Sequence, residues 1–138
     1  MGLLNREKLL AKEELKIEKV DLGNDEFVYV RQMTARERDR FEQTLLKEGV
    51  DSKGNATYDR SLEDFRAKLA SCTVCDDKGV LLLQPGDYPK MSANMSAFRM
   101  EKIINISQRL NRISEEDKEN LTKNSNAALG GNSSSDSV

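Results

Sequence analysis

The chain has 138 residues and sets 22 Lys+Arg against 24 Asp+Glu, so a third of it is charged while the net charge is only −2. That length suits one domain rather than two. The near balance of signs excludes the basic excess with which nucleic-acid binders displace counterions. The absence of His removes the commonest neutral-pH base and the commonest metal ligand. An enzyme built from this composition would have to work with carboxylates, Lys, Tyr or Cys. The composition points instead to a small polar protein that acts by binding.

Charges at Arg6, Glu7 and Lys8 leave no apolar stretch for a secretion signal. Arg6 also stands where a myristoylation motif after Gly2 wants Ser or Thr. The longest apolar run, Val80-Leu81-Leu82-Leu83, is far too short to cross a bilayer. A cytosolic protein without membrane association is expected. Residues 1–14 alternate charges with Leu3, Leu4, Leu9 and Leu10, which suits a flexible or weakly helical arm. Residues 15–119 are expected to form one domain.

Alternation over Leu15–Val20 and the run Phe27-Val28-Tyr29-Val30 flank the turn cluster Asp21–Glu26, which predicts an antiparallel hairpin. Phe27 and Tyr29 would share one face, Val28 and Val30 the other. Thr34-Ala35-Arg36-Glu37 fits a capping box and opens a helix expected to run to Gly49, with Phe41, Leu45 and Leu46 as its apolar stripe. Residues 50–60 suggest a polar loop. A second helix is expected from Leu62 to Cys72, with Leu62, Phe65 and Leu69 at helical spacing. Asp76-Asp77-Lys78-Gly79, between Thr73-Val74-Cys75 and Val80-Leu81-Leu82, admits a second small hairpin. Pro85-Gly86 and Pro89 bound a further loop.

A third helix follows from Met95, Phe98, Ile103, Ile106, Leu110 and Ile113, with Met100 and Ile104 widening the stripe and Ser92 or Asn94 as its cap. Ser114 with Glu115, Glu116 and Asp117 suggests one more helical turn. Residues 120–138 are rich in Ser, Asn and Gly and are expected to be disordered when the protein is alone. The expected fold class is α+β, mainly α: an N-terminal hairpin, three main helices, a second small hairpin and a disordered tail.

Few residues invite chemistry. Cys72 and Cys75 have C-x-x-C spacing, but zinc wants four ligands and the chain offers neither His nor a second Cys pair. The pair follows a helical stretch rather than opening one, so small buried cysteines are the expectation. Asp51, Asn55 and Asp59 miss the calcium-loop pattern. Adjacent acids such as Asp76-Asp77 do not converge on one substrate. Neither a catalytic residue nor a cofactor or metal site is expected. Arg31, Arg36, Arg38 and Arg40 are interleaved with Glu37, Asp39 and Glu42, which suits a solvated, ion-paired face.

The order of segments carries a resemblance. A hairpin ending Phe27-Val28-Tyr29-Val30-Arg31 runs into Gln32-Met33-Thr34-Ala35-Arg36-Glu37-Arg38-Asp39-Arg40-Phe41-Glu42. Cys72-Thr73-Val74-Cys75-Asp76-Asp77-Lys78-Gly79 follows, then a helix opening Ala97-Phe98 and ending Ser107-Gln108-Arg109-Leu110-Asn111-Arg112-Ile113. Over residues 15–125 this resembles the tail assembly chaperones of long-tailed bacteriophages and prophages. The resemblance implies a non-enzymatic protein of the host bacterial cytoplasm, absent from the mature virion. It implies binding and solubilising the tape measure protein and recruiting tail tube subunits, in many relatives through a longer frameshifted product. Coating of this kind is strengthened by multivalency, so a homo-oligomer is expected.

Partner contact would fall to Phe41 and Leu45 on the first main helix and to Ile103, Ile106 and Leu110 on the last. The same five residues also fit an inward-facing stripe, and both readings stay open at this stage. A small redox- or metal-responsive regulator using Cys72 and Cys75 is the alternative. A DNA-binding regulator using the Arg36–Arg40 helix is a third.

Overall fold

The computed structural model describes residues 2–60 and 63–113. It is an α+β fold with five helices and a three-stranded antiparallel sheet among those residues. Strands β1 (Ile17–Gly23) and β2 (Glu26–Arg31) form the expected hairpin. Its two-residue turn places Asn24 and Asp25 at φ 54° and 61°. That left-handed pair gives the loop the twist that flanking strands require, and Asn and Asp tolerate it best after Gly. Val20, Leu22, Val28 and Val30 face the helices. Phe27 and Tyr29 share the opposite face, edge to face with ring centroids 5.6 Å apart.

The second hairpin also forms, and it extends the first. Strand β5 (Val74–Cys75) pairs with β2, and Leu81 returns to bridge Cys75. The Asp76 carboxylate accepts from the amides of Lys78 and Val80 at 2.8 and 3.0 Å, while Gly79 takes φ 86°. Only glycine enters that region cheaply, and a Cβ on Gly79 would also meet Ile17 Cδ1 at 3.1 Å.

A third hairpin replaces the expected helix end and polar loop. Helix α2 (Ala35–Gln43) stops well before Gly49, and β3 (Leu46–Val50) pairs with β4 (Ala56–Arg60) as a separate sheet. The cause is local. Asp51-Ser52-Lys53-Gly54 repeats the Asp-x-Lys-Gly turn: Asp51 accepts from the amides of Lys53 and Asn55, both at 2.8 Å, and Gly54 takes φ 85°. At the helix end the Thr44 hydroxyl donates to the Phe41 carbonyl at 2.6 Å, offering the backbone another partner.

The start of α2 is the expected capping box. Glu37 N–H donates to Thr34 Oγ1 at 3.2 Å and Thr34 N–H to Glu37 Oε1 at 2.9 Å. Helix α1 (Arg6–Leu10) begins on Asn5, whose side chain accepts from Lys8 N–H. Helix α3 (Phe65–Thr73) buries Phe65 and Leu69 as expected. Leu62, Ser114 and residues 120–138, to which expectations were also attached, lie outside the described residues.

The expected loop before the third helix holds a helix of its own, and the third helix starts slightly later than expected. Residues bounded by Pro85 and Pro89 form a 3-10 turn (Pro85–Asp87) and helix α4 (Tyr88–Asn94), because a proline in the first helical turn loses no hydrogen bond. Met95 closes α4. Helix α5 (Ala97–Leu110) then opens on Ser96, not Ser92 or Asn94. Its buried stripe is Met100, Ile103, Ile104 and Ser107, while Phe98 is 71% exposed. Met100, Ile103 and Ile104 belong to the expected stripe, whereas Ser107 at its end does not. Ser107 and Thr73 are fully buried, 2.9 Å apart, and 3.0 and 2.9 Å from the Ile103 and Leu69 carbonyls. Each hydroxyl is thus within hydrogen-bond distance of the other and of a carbonyl in its own helix.

Helix α5 is about 21 Å long and β1 about 23 Å, so one helix covers the inner face of the hairpin end to end. Arg99 reaches Glu26 at 2.6 Å near the hairpin tip, and Arg109 pairs with Glu18 further back. Behind α5, Phe41 and Phe65 meet edge to face at 5.6 Å.

The end of α5 holds the layers together. Asn111 Oδ1 accepts from Met33 N–H at 2.7 Å, its Nδ2 donates to the Ser107 carbonyl at 2.9 Å, and its own carbonyl accepts from Arg38 at 2.9 Å. Arg112 takes φ 53°, and Ile113 N–H bonds back to the Gln108 carbonyl at 2.8 Å, burying Ile113. This is a Schellman turn with Arg in glycine's place.

Two substitutions test this junction in urea unfolding. Asn111→Ala should cost about 1–3 kcal/mol, because the part-buried Met33 N–H loses its acceptor. Arg112→Gly should add about 0.5–1 kcal/mol by relieving the left-handed backbone. A loss of stability in Arg112→Gly would show that the arginine side chain outweighs the strain.

Candidate functional site

Phe41, Leu45 and Ile103 lie wholly in the interior, packed with Phe65, Leu69 and Val30. Ile106 and Leu110 are half-buried against the same core. The inward reading therefore describes the first three, which present no surface in this fold. Of the five, only Ile106 and Leu110 reach solvent.

Cys75 is buried beneath the Asp76 turn, and Cys72 is half-buried on α3; both are free thiols. Burial pushes both upward from the ordinary thiol range, opposed at Cys72 first by a hydrogen bond with Ser71 and at both by the Arg31 charge. Such thiols are poor nucleophiles at neutral pH. No three His, Cys, Asp or Glu side chains converge as a metal set among the described residues.

The arginine-rich segment resolves into pairs. Arg31 is buried and donates from both Nη atoms to Glu37, at 2.8 Å each, and from Nη1 to the Gln32 carbonyl. Arg31 is thus structural rather than part of the solvated face expected for it. Arg38 pairs with Glu42 at 3.1 Å. Arg36 and Arg40 are exposed. The Arg31 guanidinium holds the Glu37 carboxyl below the usual range, against desolvation that raises it.

The surface features that remain are apolar. Leu9 and Leu10 on the arm are 67% and 69% exposed, and α1 buries nothing. The arm overhangs a cleft of about 990 Å³ between the start of α2 and the end of α5. Leu15, Met33 and Leu110 line it with Leu9 and Leu10, and its charged residues are Lys12, Arg36, Arg38, Arg112 and the single acid Glu13. At the far edge of the sheet, Val80 and Leu82 are 61% and 56% exposed. Stripe spacing could not reveal the cleft, because its wall is assembled from three segments. The signal available was the pair Leu9-Leu10 in a charged arm with no periodic partner. No helix among the described residues is long and apolar enough to cross a membrane.

Comparison of the chain with family models, with curated proteins and with solved structures finds no match.

The Arg31–Glu37 pair predicts an acid-side stability loss. Glu37 has a folded pKa below its unfolded one, so its contribution is complete above the unfolded value and disappears as pH falls through the folded value. Urea midpoints across an acidic pH series should fall less steeply in Glu37→Gln than in the parent. At neutral pH the same variant should lose about 2–4 kcal/mol, because Arg31 keeps its buried charge without a counter-charge. Parallel pH curves would remove Glu37 from the acid response.

Proposed function

We propose that the chain is a tail assembly chaperone of a long-tailed phage or prophage, acting in the host bacterial cytoplasm. It binds the tape measure protein, keeps it soluble and assists recruitment of tail tube subunits around it. The observation that carries this reading is the ordered set of segments from the first hairpin through the Cys72–Gly79 turn to the Asn111 helix end. Exposed apolar side chains support it. Leu9, Leu10, Val80 and Leu82 stand on a surface otherwise dense in both charges, which suits a protein that covers another chain's apolar helix while staying soluble. The reading is non-enzymatic, and self-association would strengthen it by raising effective concentration. The regulator alternative gains no support from two thiols that burial makes less reactive.

Co-expression with the tape measure protein of the same genome tests the proposal. The tape measure protein should move from the pellet to the soluble fraction and co-purify with this chain. The Cys72→Ser/Cys75→Ser double variant should do the same. Equal insolubility with and without the chain would sink the chaperone reading, and loss of rescue in a folded double-serine variant would revive the thiol-based one.

A further inference from the structure

We propose that the cleft between the N-terminal arm, the start of α2 and the end of α5 is the client-binding site, and that it receives an acidic amphipathic helix. This inference rests on the chaperone reading and names the surface and the chemistry of its partner.

The floor is apolar: Leu15, Met33 and Leu110, with Leu9 and Leu10 on the overhanging arm. The rim is cationic. Lys12, Arg36, Arg38 and Arg112 line it against a single acid, Glu13, in a chain whose net charge is negative. Arg38 is taken by Glu42 and the Asn111 carbonyl. Among the described residues Lys12, Arg36 and Arg112 pair with no carboxylate. An apolar trough with unpaired cations on its rim is complementary to an apolar stripe flanked by acids.

The α2 and α5 walls of the cleft favour a helix over a strand. Gln32 N–H is spent on the Lys16 carbonyl, Met33 N–H on Asn111 and Thr34 N–H on Glu37. The Leu110 carbonyl accepts from Gln32 and the Asn111 carbonyl from Arg38. On the α2 and α5 walls these amides and carbonyls offer no free row to which a strand could add, so an occupant packed against those walls satisfies its own backbone, as a helix does. The arm does not fill the space itself, since its two leucines remain largely in solvent.

The test uses the full chain and a fluorescent helix-forming peptide with Leu at i, i+3, i+4 and i+7 and Glu on its other faces. A second peptide replaces every Glu with Lys. The acidic peptide should bind about ten-fold or more tightly than its counterpart, and Arg36→Glu/Arg112→Glu should reverse that order. Both positions are exposed. An acid in the first turn of α2 suits the helix dipole and one just past the end of α5 opposes it, both as small surface effects, so circular dichroism should stay unchanged. Arg36→Lys/Arg112→Lys should retain the parent's preference.

Peptide affinities within about two-fold of each other, or unmoved by charge reversal, overturn the assignment. So does a single-stranded oligonucleotide that binds as tightly as the acidic peptide. Changing Glu115, Glu116 and Asp117 to Lys in the full chain should leave affinity unchanged; a ten-fold gain would mean that the chain's own C-terminal residues compete for the cleft and would overturn a client there. A fall in sedimenting mass on peptide addition would assign the cleft to a second copy instead. Co-expression separates this failure from that of the chaperone reading. A tape measure protein rescued equally by the parent and by Arg36→Glu/Arg112→Glu leaves the chaperone reading standing and removes the cleft from it. One that stays insoluble even with the parent removes both.

Discussion

One side-chain amide joins the two ends of the fold. Where β2 gives way to α2, the Met33 N–H is buried without a strand partner. Where α5 ends, its last carbonyls have no helical donors. Asn111 answers the first need with its Oδ1, and Arg38 and Gln32 answer the second by donating to the Asn111 and Leu110 carbonyls. The contact links residues 78 positions apart and closes the chain around the core. A core with few aromatics has little apolar area to spare, so polar groups left unpaired at this junction would be a large fraction of the net stability. The left-handed backbone at Arg112 is tolerated because the turn it makes delivers Ile113 to the interior.

Arg31 and Glu37 extend the same logic to charge. A buried guanidinium is tolerable only with its counter-charge in place, and the fork geometry lets Glu37 supply two acceptors at once. Glu37 is also the return partner of the α2 capping box. One carboxylate thus fixes where the helix starts and neutralises the strand residue before it. The register of β2 and the first turn of α2 are therefore coupled, and neither can shift without stranding a charge.

Signals that act within a few residues were legible in the sequence. The Thr34–Glu37 box, the Asn24-Asp25 turn and the Asp76–Gly79 turn all formed as their chemistry requires. The Asp51–Gly54 turn carries the same Asp-x-Lys-Gly chemistry, but Leu45 and Leu46 at helical spacing from Phe41 masked it. Features set by distant packing were not legible. Ser107 is accommodated on a buried stripe because Thr73 from another helix gives its hydroxyl a second partner, and no local pattern announces that. Apolar spacing on α2 and α5 could not separate an interior face from a docking face, since both need the same residues. Burial of Phe41, Leu45 and Ile103 decides it only once the layers are assembled.

The arm is where the local and tertiary levels disagree. A helix as short as α1 cannot sustain itself in water, and in other small helices packing supplies the deficit. Here Asn5 caps the helix, yet none of its residues is buried. Leu9 and Leu10 each forgo much of the roughly 1.5–3 kcal/mol that full burial of a leucine brings. The cleft beneath them is apolar at its floor and still open. A helix laid into it would cover the floor and the underside of the arm together, giving α1 the packing it lacks. On the proposed reading the arm is one wall of an interface, and the bound helix supplies the packing that α1 lacks.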